Sequence, residues 1–223
     1  MKIPLSNRLL ACCEFVNRGD RVADVGCDHG YLSIHLLTQG IAKSCIASDV
    51  AEGPLQSAQR NAHKYGVKKK MEFYLSDGVR NIPRDFDTLV CAGMGADTMM
   101  SILDAAPWLK DSKYRLILQC QSKRPELRKY LYQQGYAIRR ETLAQDGKFL
   151  YTVMEVVYAP GETLTEAEYY ITPALQASGS PLFGAFLDHV TAGIQTAVDG
   201  LARNGGERYE EHKKILEELK SLQ

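Results

Sequence analysis

The sequence has no long apolar run and no leader pattern, and both absences narrow the class of protein. None of its 223 residues lies in a stretch that approaches the roughly 20 apolar residues of a membrane-spanning helix. The opening MKIPLSNRLLACCEF lacks the basic segment, apolar core and cleavage site of a secretory signal. We therefore expect a soluble, cytoplasmic protein with no membrane partner.

The sequence also lacks cysteine pairs with metal-ligand spacing. Its six cysteines are scattered, with neither a Cys-x-x-Cys pair nor a His/Cys cluster. Structural zinc sites need such spacing, so no metal is expected. The thiols are predicted to be reduced and mostly buried.

The net charge is zero, but the charges are distributed unevenly. Residues 161–223 carry ten acidic and five basic side chains, which leaves residues 1–160 mildly basic. This asymmetry permits a polyanionic partner on the first part of the chain without requiring one.

Short apolar strands alternate with single helices along the first 135 residues. This alternation predicts parallel βαβ units in an open, doubly wound α/β sheet. Ser6 is predicted to cap a first helix that runs to about Arg18.

The pattern changes after Gly135. Two β-rich stretches meet at Asp146-Gly147, which predicts a hairpin at a sheet edge. Beyond Pro160-Gly161, two amphipathic helices flank Asn204-Gly205-Gly206 and predict an antiparallel, coiled-coil-like helical hairpin. We therefore divide the chain into a domain of residues 1–160 and a helical domain of residues 161–223.

The segment DVGCDHG at residues 24–30 follows a strand and opens a helix. Gly26 and Gly30 allow a sharp turn close to a ligand at the carboxyl edge of the sheet. A dinucleotide loop would read G-x-G-x-x-G, whereas this loop carries Asp24 and Asp28, which repel phosphate. The charges favour S-adenosylmethionine, which bears an ammonium and a sulfonium group and no phosphate.

Polar or glycine residues follow the next three strands as well. Asp49 is placed to accept hydrogen bonds from ribose hydroxyls, and Asp77-Gly78 could bind an adenine amino group. Gly93-Met94-Gly95 would line the methyl-donor side of the cleft. Each position alone also fits an ordinary turn or helix cap, so the prediction depends on four successive strand ends agreeing.

These motifs, DVGCDHGYLS, SDG at 76–78 and AGMGAD at 92–97, resemble the TrmK family of bacterial tRNA adenine-N1 methyltransferases. The resemblance covers nearly the whole chain, with Ala96 where the family often has a further glycine. It implies a Rossmann-like class I S-adenosylmethionine-dependent methyltransferase sheet of seven strands with a C-terminal helical hairpin. The cofactor contacts that it implies are Asp24, Gly26, Asp28, Asp49, Asp77, Gly78 and Gly93.

The resemblance further implies methyl transfer to N1 of adenine 22 in the D-arm of tRNA. The chain lacks the Asn/Asp-Pro-Pro-Tyr/Phe segment that serves exocyclic nitrogens, and this favours a ring nitrogen as acceptor. Because N1 has its own lone pair, catalysis needs mainly alignment and charge stabilisation. Asp28 and His29 are the candidate catalytic residues.

A tRNA substrate would contact basic side chains through its phosphates, and its adenine would have to leave the stack. The predicted phosphate contacts are Arg8, Lys123, Arg124, Arg128, Lys129, Arg139 and Arg140. The acidic tail is expected to orient the tRNA or to stabilise the fold, in a monomer or a weak dimer. Two alternatives stay open: a methyltransferase for small molecules or proteins, and a non-catalytic RNA-binding module.

Overall fold

The computed structural model of the chain describes residues 3–203 and 205–222. Its centre is a seven-stranded sheet in the order β3-β2-β1-β4-β5-β7-β6. Strands β1 to β5 are parallel, and β7 pairs antiparallel with both β5 and β6. The strands are β1 (Arg21–Val25), β2 (Ser44–Asp49), β3 (Met71–Leu75), β4 (Thr88–Met94), β5 (Arg115–Cys120), β6 (Tyr136–Asp146) and β7 (Phe149–Tyr158).

Helices connect the parallel strands and form the tail. The helices are α1 (Asn7–Glu14), α2 (Tyr31–Thr38), α3 (Glu52–Lys64), α4 (Ala96–Asp104), α5 (Arg124–Gln133), α6 (Pro173–Gln176), α7 (Phe183–Leu201) and α8 (Glu207–Lys220). This confirms the Rossmann-like methyltransferase sheet, its edge hairpin and the C-terminal helical hairpin. The predicted turn residue Asn204 lies outside the described residues.

The first helix differs from its prediction at both ends. The side chain of Ser6 makes no capping bond; instead, Asp146 at the end of β6 accepts hydrogen bonds from Asn7 N at 2.8 Å and Arg8 N at 3.2 Å. At the other end, the amide of Phe15 donates a hydrogen bond to Cys12 O at 3.2 Å, and the helix ends before Arg18. The cap is therefore supplied by a residue far along the chain, which local pattern cannot reveal.

Apolar residues cover both faces of the sheet, and a third cluster lies in the tail. The tail cluster joins Phe186, Ile194 and Leu219 to Leu143 of β6, so the tail packs against the edge hairpin. All six cysteines are free and buried. Within the described residues, no helix is both long and apolar enough to span a membrane.

Candidate functional site

The loop after β1 lies at the carboxyl edge of the sheet, tied to the neighbouring strand. The amides of Gly26 and Cys27 both donate to Ser48 O at 2.9 Å. Gly26 has φ +71°, and a Cβ there would lie 2.2 Å from the terminal methyl of Met94. The end of β4 thus packs directly on the loop, and the two enclose one end of a cleft.

Asp24 is the buried acid of this cleft. Its carboxylate accepts a hydrogen bond from Ser33 Oγ at 2.8 Å. Burial raises the pKa of Asp24 to about 6, because the charged form loses its hydration. A cationic group bound in the cleft would stabilise the charged carboxylate and lower this pKa again.

Asp49, at the end of β2, holds the loop in place from the other side. Its carboxylate accepts the amide of Asp28 at 3.2 Å and that of Ala51 at 3.1 Å. Asp28 has φ +49°, a left-handed conformation that is rare outside glycine. The bond to Asp49 helps to hold Asp28 in that conformation at the mouth of the cleft.

Asp28 and His29 form an exposed pair at this mouth. His29 Nε2 lies 3.6 Å from Asp28 Oδ1, and the two side chains are 52% and 71% exposed. The His29 ring also lies 5.8 Å from the ring of Tyr31. The pair is therefore accessible to a large substrate rather than enclosed.

The residues after β3 lie farther along the same edge. Asp77 is 70% exposed, with its carboxylate 3.4 Å from Arg80 Nε. Gly78 has φ +58°, and a Cβ there would lie 2.9 Å from Ile102 on α4. Asp77 thus lies on the rim, while Gly78 permits close packing beneath it.

Arg8 lies inside the cleft and not on an outer surface. Its Nη1 donates to the buried Gln119 Oε1 at 2.9 Å, and that oxygen also accepts the amide of Gly93 at 3.1 Å. Together with Asp24 and Gly26, Arg8 lines a cavity of about 90 Å³. The structure therefore brings a guanidinium among the predicted cofactor residues, although the sequence suggested a phosphate contact.

Sequence reasoning missed two exposed apolar side chains beside these polar groups. Val50 follows Asp49 and is 69% exposed, and Leu75 at the end of β3 is 48% exposed. Apolar side chains left open at a ligand-binding edge offer a surface for a flat ring. An apolar residue directly after a strand-ending acid was the signal that could have found Val50.

Gly93 and Met94 end β4, and Gly95 links them to α4. These residues abut the segment after β5, because Gln121 N donates to Met94 O at 2.8 Å. A Cβ on Gly95 would lie 3.1 Å from Ser122 Oγ. They therefore join the acidic cleft to the region around α5.

The prediction for Arg128 is wrong. Its side chain is 1% exposed, forms an ion pair with Glu141, and donates to Tyr169 O at 2.9 Å and Tyr170 O at 2.8 Å. An enclosed guanidinium with these partners cannot reach a phosphate. Arg128 instead fastens the tail to α5 and β6.

The other predicted cations are nearer the surface, and most have acidic partners. The pairs are Lys123 with Asp97 at 2.8 Å, Lys129 with Glu166 at 2.7 Å, Arg139 with Glu162 at 2.8 Å, and Arg140 with Glu155 at 2.5 Å. Arg124 is half-buried, with its guanidinium 5.0 Å from the Phe186 ring. The structure does not gather these cations with the cleft residues into one site.

Among residues 3–203 and 205–222, no group of three or more His, Cys, Asp or Glu side chains is arranged to hold a metal ion. The cleft is instead a set of carboxylates, one guanidinium and apolar edges. This donor set suits an organic ligand with separate positive, negative and flat parts.

Comparison with known proteins supports the same interpretation. A model of the methyltransferase domain family matches residues 5–154. The tRNA (adenine(22)-N(1))-methyltransferase of Bacillus subtilis is 34% identical over 149 residues, which are 66% of this chain and 63% of that protein. A relative from Mycoplasma genitalium is 30% identical over 60% of this chain. The chain thus spans 63% and 61% of the length of these two curated relatives.

Solved structures match over nearly the whole chain. The crystal structure of the B. subtilis M1A22 tRNA methyltransferase TrmK has a TM-score of 0.85 at 25% identity and covers 99% of both chains. A Streptococcus pneumoniae protein in complex with S-adenosyl-L-methionine has a TM-score of 0.81 at 28% identity, over 95% of this chain and 99% of that one. The chain therefore belongs to the methyltransferase domain family and, within it, to the TrmK group.

Proposed function

We propose that this protein transfers the methyl group of S-adenosylmethionine to N1 of adenine 22 in tRNA. The observation that carries the proposal is the cleft at the ends of β1 to β4, where Asp24, Asp28 and Asp49 converge. Carboxylates in this arrangement attract a cationic ligand and repel a pyrophosphate. The names of the B. subtilis relatives supply the reaction and its position.

The cleft residues fit the parts of S-adenosylmethionine. Asp24 and Asp28 suit its ammonium group, and Asp49 suits the ribose hydroxyls. Arg8, the one cation in this cavity among the described residues, suits the carboxylate. Gly26 leaves room that a Cβ would fill.

The remaining predicted contacts suit the two ends of the same ligand. Val50 and Leu75 would cover the adenine ring, and Asp77 and Gly78 lie on the rim near its amino group. Gly30, Gly93, Met94 and Gly95 shape the turns that bound the methyl-donor end.

When bound, S-adenosylmethionine supplies a methyl group on a positively charged sulfur. The chain itself positions the acceptor: the turn at residues 93–95 and the loop at residues 26–30 hold the adenine so that its N1 lone pair faces the donor. Asp28, with His29 beside it, offers a negative group at the mouth that stabilises the positive charge developing on the base. No strong base is needed to activate a ring nitrogen that already has a lone pair.

A folded tRNA must present this adenine outside its stack, and phosphate contacts supply much of the affinity. Lys123, Arg124, Lys129, Arg139 and Arg140 stay in the proposal as phosphate contacts. The acidic partners of Lys123, Lys129 and Arg139 are exposed, so a phosphate can replace them. We place the reaction in the cytoplasm, in a monomer or a weak dimer.

The test is methyl transfer from labelled S-adenosylmethionine to unmodified tRNA, with protein extract and metabolites as parallel acceptors. We expect label in tRNA, and mapping should place N1-methyladenosine at position 22. Label found only in protein or only in metabolites would show that tRNA is not the substrate. A calorimetric titration without binding of the cofactor would indicate a non-catalytic RNA-binding module.

A further inference from the structure

A groove runs between the tip of the β6-β7 hairpin and helix α7. One part, of about 620 Å³, is lined by residues that include Gln121, Arg124, Phe149 and His189. It adjoins a second cavity of about 310 Å³, which shares Gln121, Arg124 and His189. Both parts therefore belong to one continuous depression outside the acidic cleft.

Phe149 is the most unusual side chain of this groove. It is 57% exposed, one of four large apolar side chains exposed in the described part of the chain. The ammonium of Lys148 lies 5.4 Å from its ring, and Tyr151 lies 6.4 Å away, ring centre to ring centre. Exposed aromatic rings beside cations are the means by which proteins hold unpaired nucleobases.

The hairpin tip that presents Phe149 is anchored. Asp146, which pairs with Phe149 in the hairpin, caps α1 through its carboxylate, and Asn7 Nδ2 donates to Gln145 O at 2.7 Å. Only Gly147 and Lys148 lie between the two strands. The ring is therefore held on a short, tethered turn and not on a mobile loop.

The charge of the groove is positive. Arg124 and Lys148 line it together with His189, and no acidic side chain is among the described residues that form its walls. Arg124 donates to Leu150 O at 3.4 Å, which ties the start of α5 to the hairpin. This contrasts with the three carboxylates of the cleft and suits a phosphate backbone.

The groove also begins at the methyl-donor end of the cleft. Gln121 is bonded to Met94 O at 2.8 Å, and Ser122 abuts Gly95. A strand whose target base entered the cleft between these turns would therefore continue along Gln121 and Arg124 towards the hairpin tip.

We infer that this groove binds an unpaired nucleotide next to the target adenine, with its base stacked on Phe149 and its phosphates near Lys148 and Arg124. The inference rests on the proposed function, since it names how the same RNA substrate is held. It adds a stacking residue and a phosphate contact that the sequence did not suggest.

The test measures the dissociation constant of the full-length protein for an unmodified tRNA transcript, without cofactor. F149A should weaken binding about tenfold, the usual consequence of losing one base stack. F149W should restore wild-type affinity, whereas F149L should not, because stacking needs a ring. The matched control is L222A, which removes an apolar side chain of the tail that is 36% exposed and does not line either part of the groove.

Lys148 is tested separately through salt. K148Q should reduce the slope of log Kd against log salt by about one, with K213Q on α8 as a control that leaves the slope unchanged. Thermal unfolding and the affinity for S-adenosylmethionine should stay at wild-type values in all these variants.

The inference is overturned if F149A binds tRNA as well as L222A does, or if F149L restores binding as fully as F149W. If either occurs while the wild-type protein still methylates tRNA, the proposed function stands and the groove serves another partner, such as a protein. If the wild-type protein neither binds nor methylates tRNA, both fail together.

Discussion

The acidic cleft and the groove at the hairpin tip differ in how they are assembled. The cavity of the cleft is lined mostly by the end of β1, the loop after it and the start of α2, and Asp49 at the end of β2 holds that loop. Arg8 and Leu9 of α1 and Ala92 of β4 complete the lining. The groove joins side chains from four distant segments, within residues 121–128, 148–151 and 185–194 and at Tyr170. A site of the first kind leaves a local signature in the sequence, and a site of the second kind does not.

The largest expected effect is a loss of stability on substitution of Arg128, which lines the smaller part of the groove. R128A should lower the free energy of unfolding by about 3–5 kcal/mol, because it leaves Glu141 charged, buried and without its main partner. R139A, whose ion pair with Glu162 is 45% exposed on both sides, should cost about 1 kcal/mol or less. Urea unfolding of both variants measures the difference.

If R128A unfolded like the wild type but lost tRNA affinity, Arg128 would belong to the binding surface after all. Truncation of residues 162–223 is a weaker experiment, since it removes the backbone carbonyls of Tyr169 and Tyr170 that Arg128 binds.

The next effect concerns the cleft alone. D49A should weaken S-adenosylmethionine binding about 100-fold, since it removes hydrogen bonds to the ribose and the anchor of the Asp28 amide. Isothermal titration calorimetry measures the affinity, and D111A on a surface turn serves as the control acid. Unaltered affinity in D49A would mean that the ribose contact is misassigned.

A pH titration separates the buried acid from the exposed ones. Because the pKa of Asp24 is raised to about 6, its carboxyl is protonated more readily in the folded chain than in the unfolded one. Its contribution to stability is therefore full below about pH 4 and is lost as the pH rises to about 6, by an amount on the order of 2–3 kcal/mol. Urea unfolding at pH 4 to 7 should show this loss in the wild type and not in D24N.

The affinity for the cofactor should change with pH in the opposite sense to the stability. Since its ammonium group favours the ionised carboxylate, the affinity for S-adenosylmethionine should rise through about pH 6. An affinity that follows the same pH curve in D24N would remove Asp24 from the ammonium site.

The smallest effect compares two glycines with the same backbone conformation. Gly30 and Gly40 have φ +71° and +63°, but a Cβ lies 2.9 Å from Ala58 Cβ at Gly30 and meets nothing within 4 Å at Gly40. G30A should therefore destabilise the chain more than G40A by about 1 kcal/mol or more, measured by urea unfolding. Equal losses would mean that α3 moves freely away from the loop.

The sequence was sufficient to predict the sheet, because the spacing of apolar residues and the turn residues identify each strand. It was also sufficient to bring Asp24, Asp28 and Asp49 to one edge, since parallel strands end there together. It could not distinguish Arg8 in the cleft or Arg128 in the interior from surface cations. Their environments are set by Gln119 and Glu141, which are remote in sequence.

Phe149 was missed for a related reason. Its sequence context is that of an ordinary strand residue. It becomes part of a groove only because α7 lies opposite the hairpin tip. Its roles in tRNA binding, like those of the remaining surface cations, stay predictions.

The capping of α1 by Asp146 has a consequence for synthesis on the ribosome. The two partners are 139 residues apart, so α1 has no cap until the hairpin has been translated. Until then its leading amides are satisfied by water alone. We therefore expect nascent chains that stop before the hairpin to expose this segment to proteases and chaperones, and chains that extend past it to protect the segment.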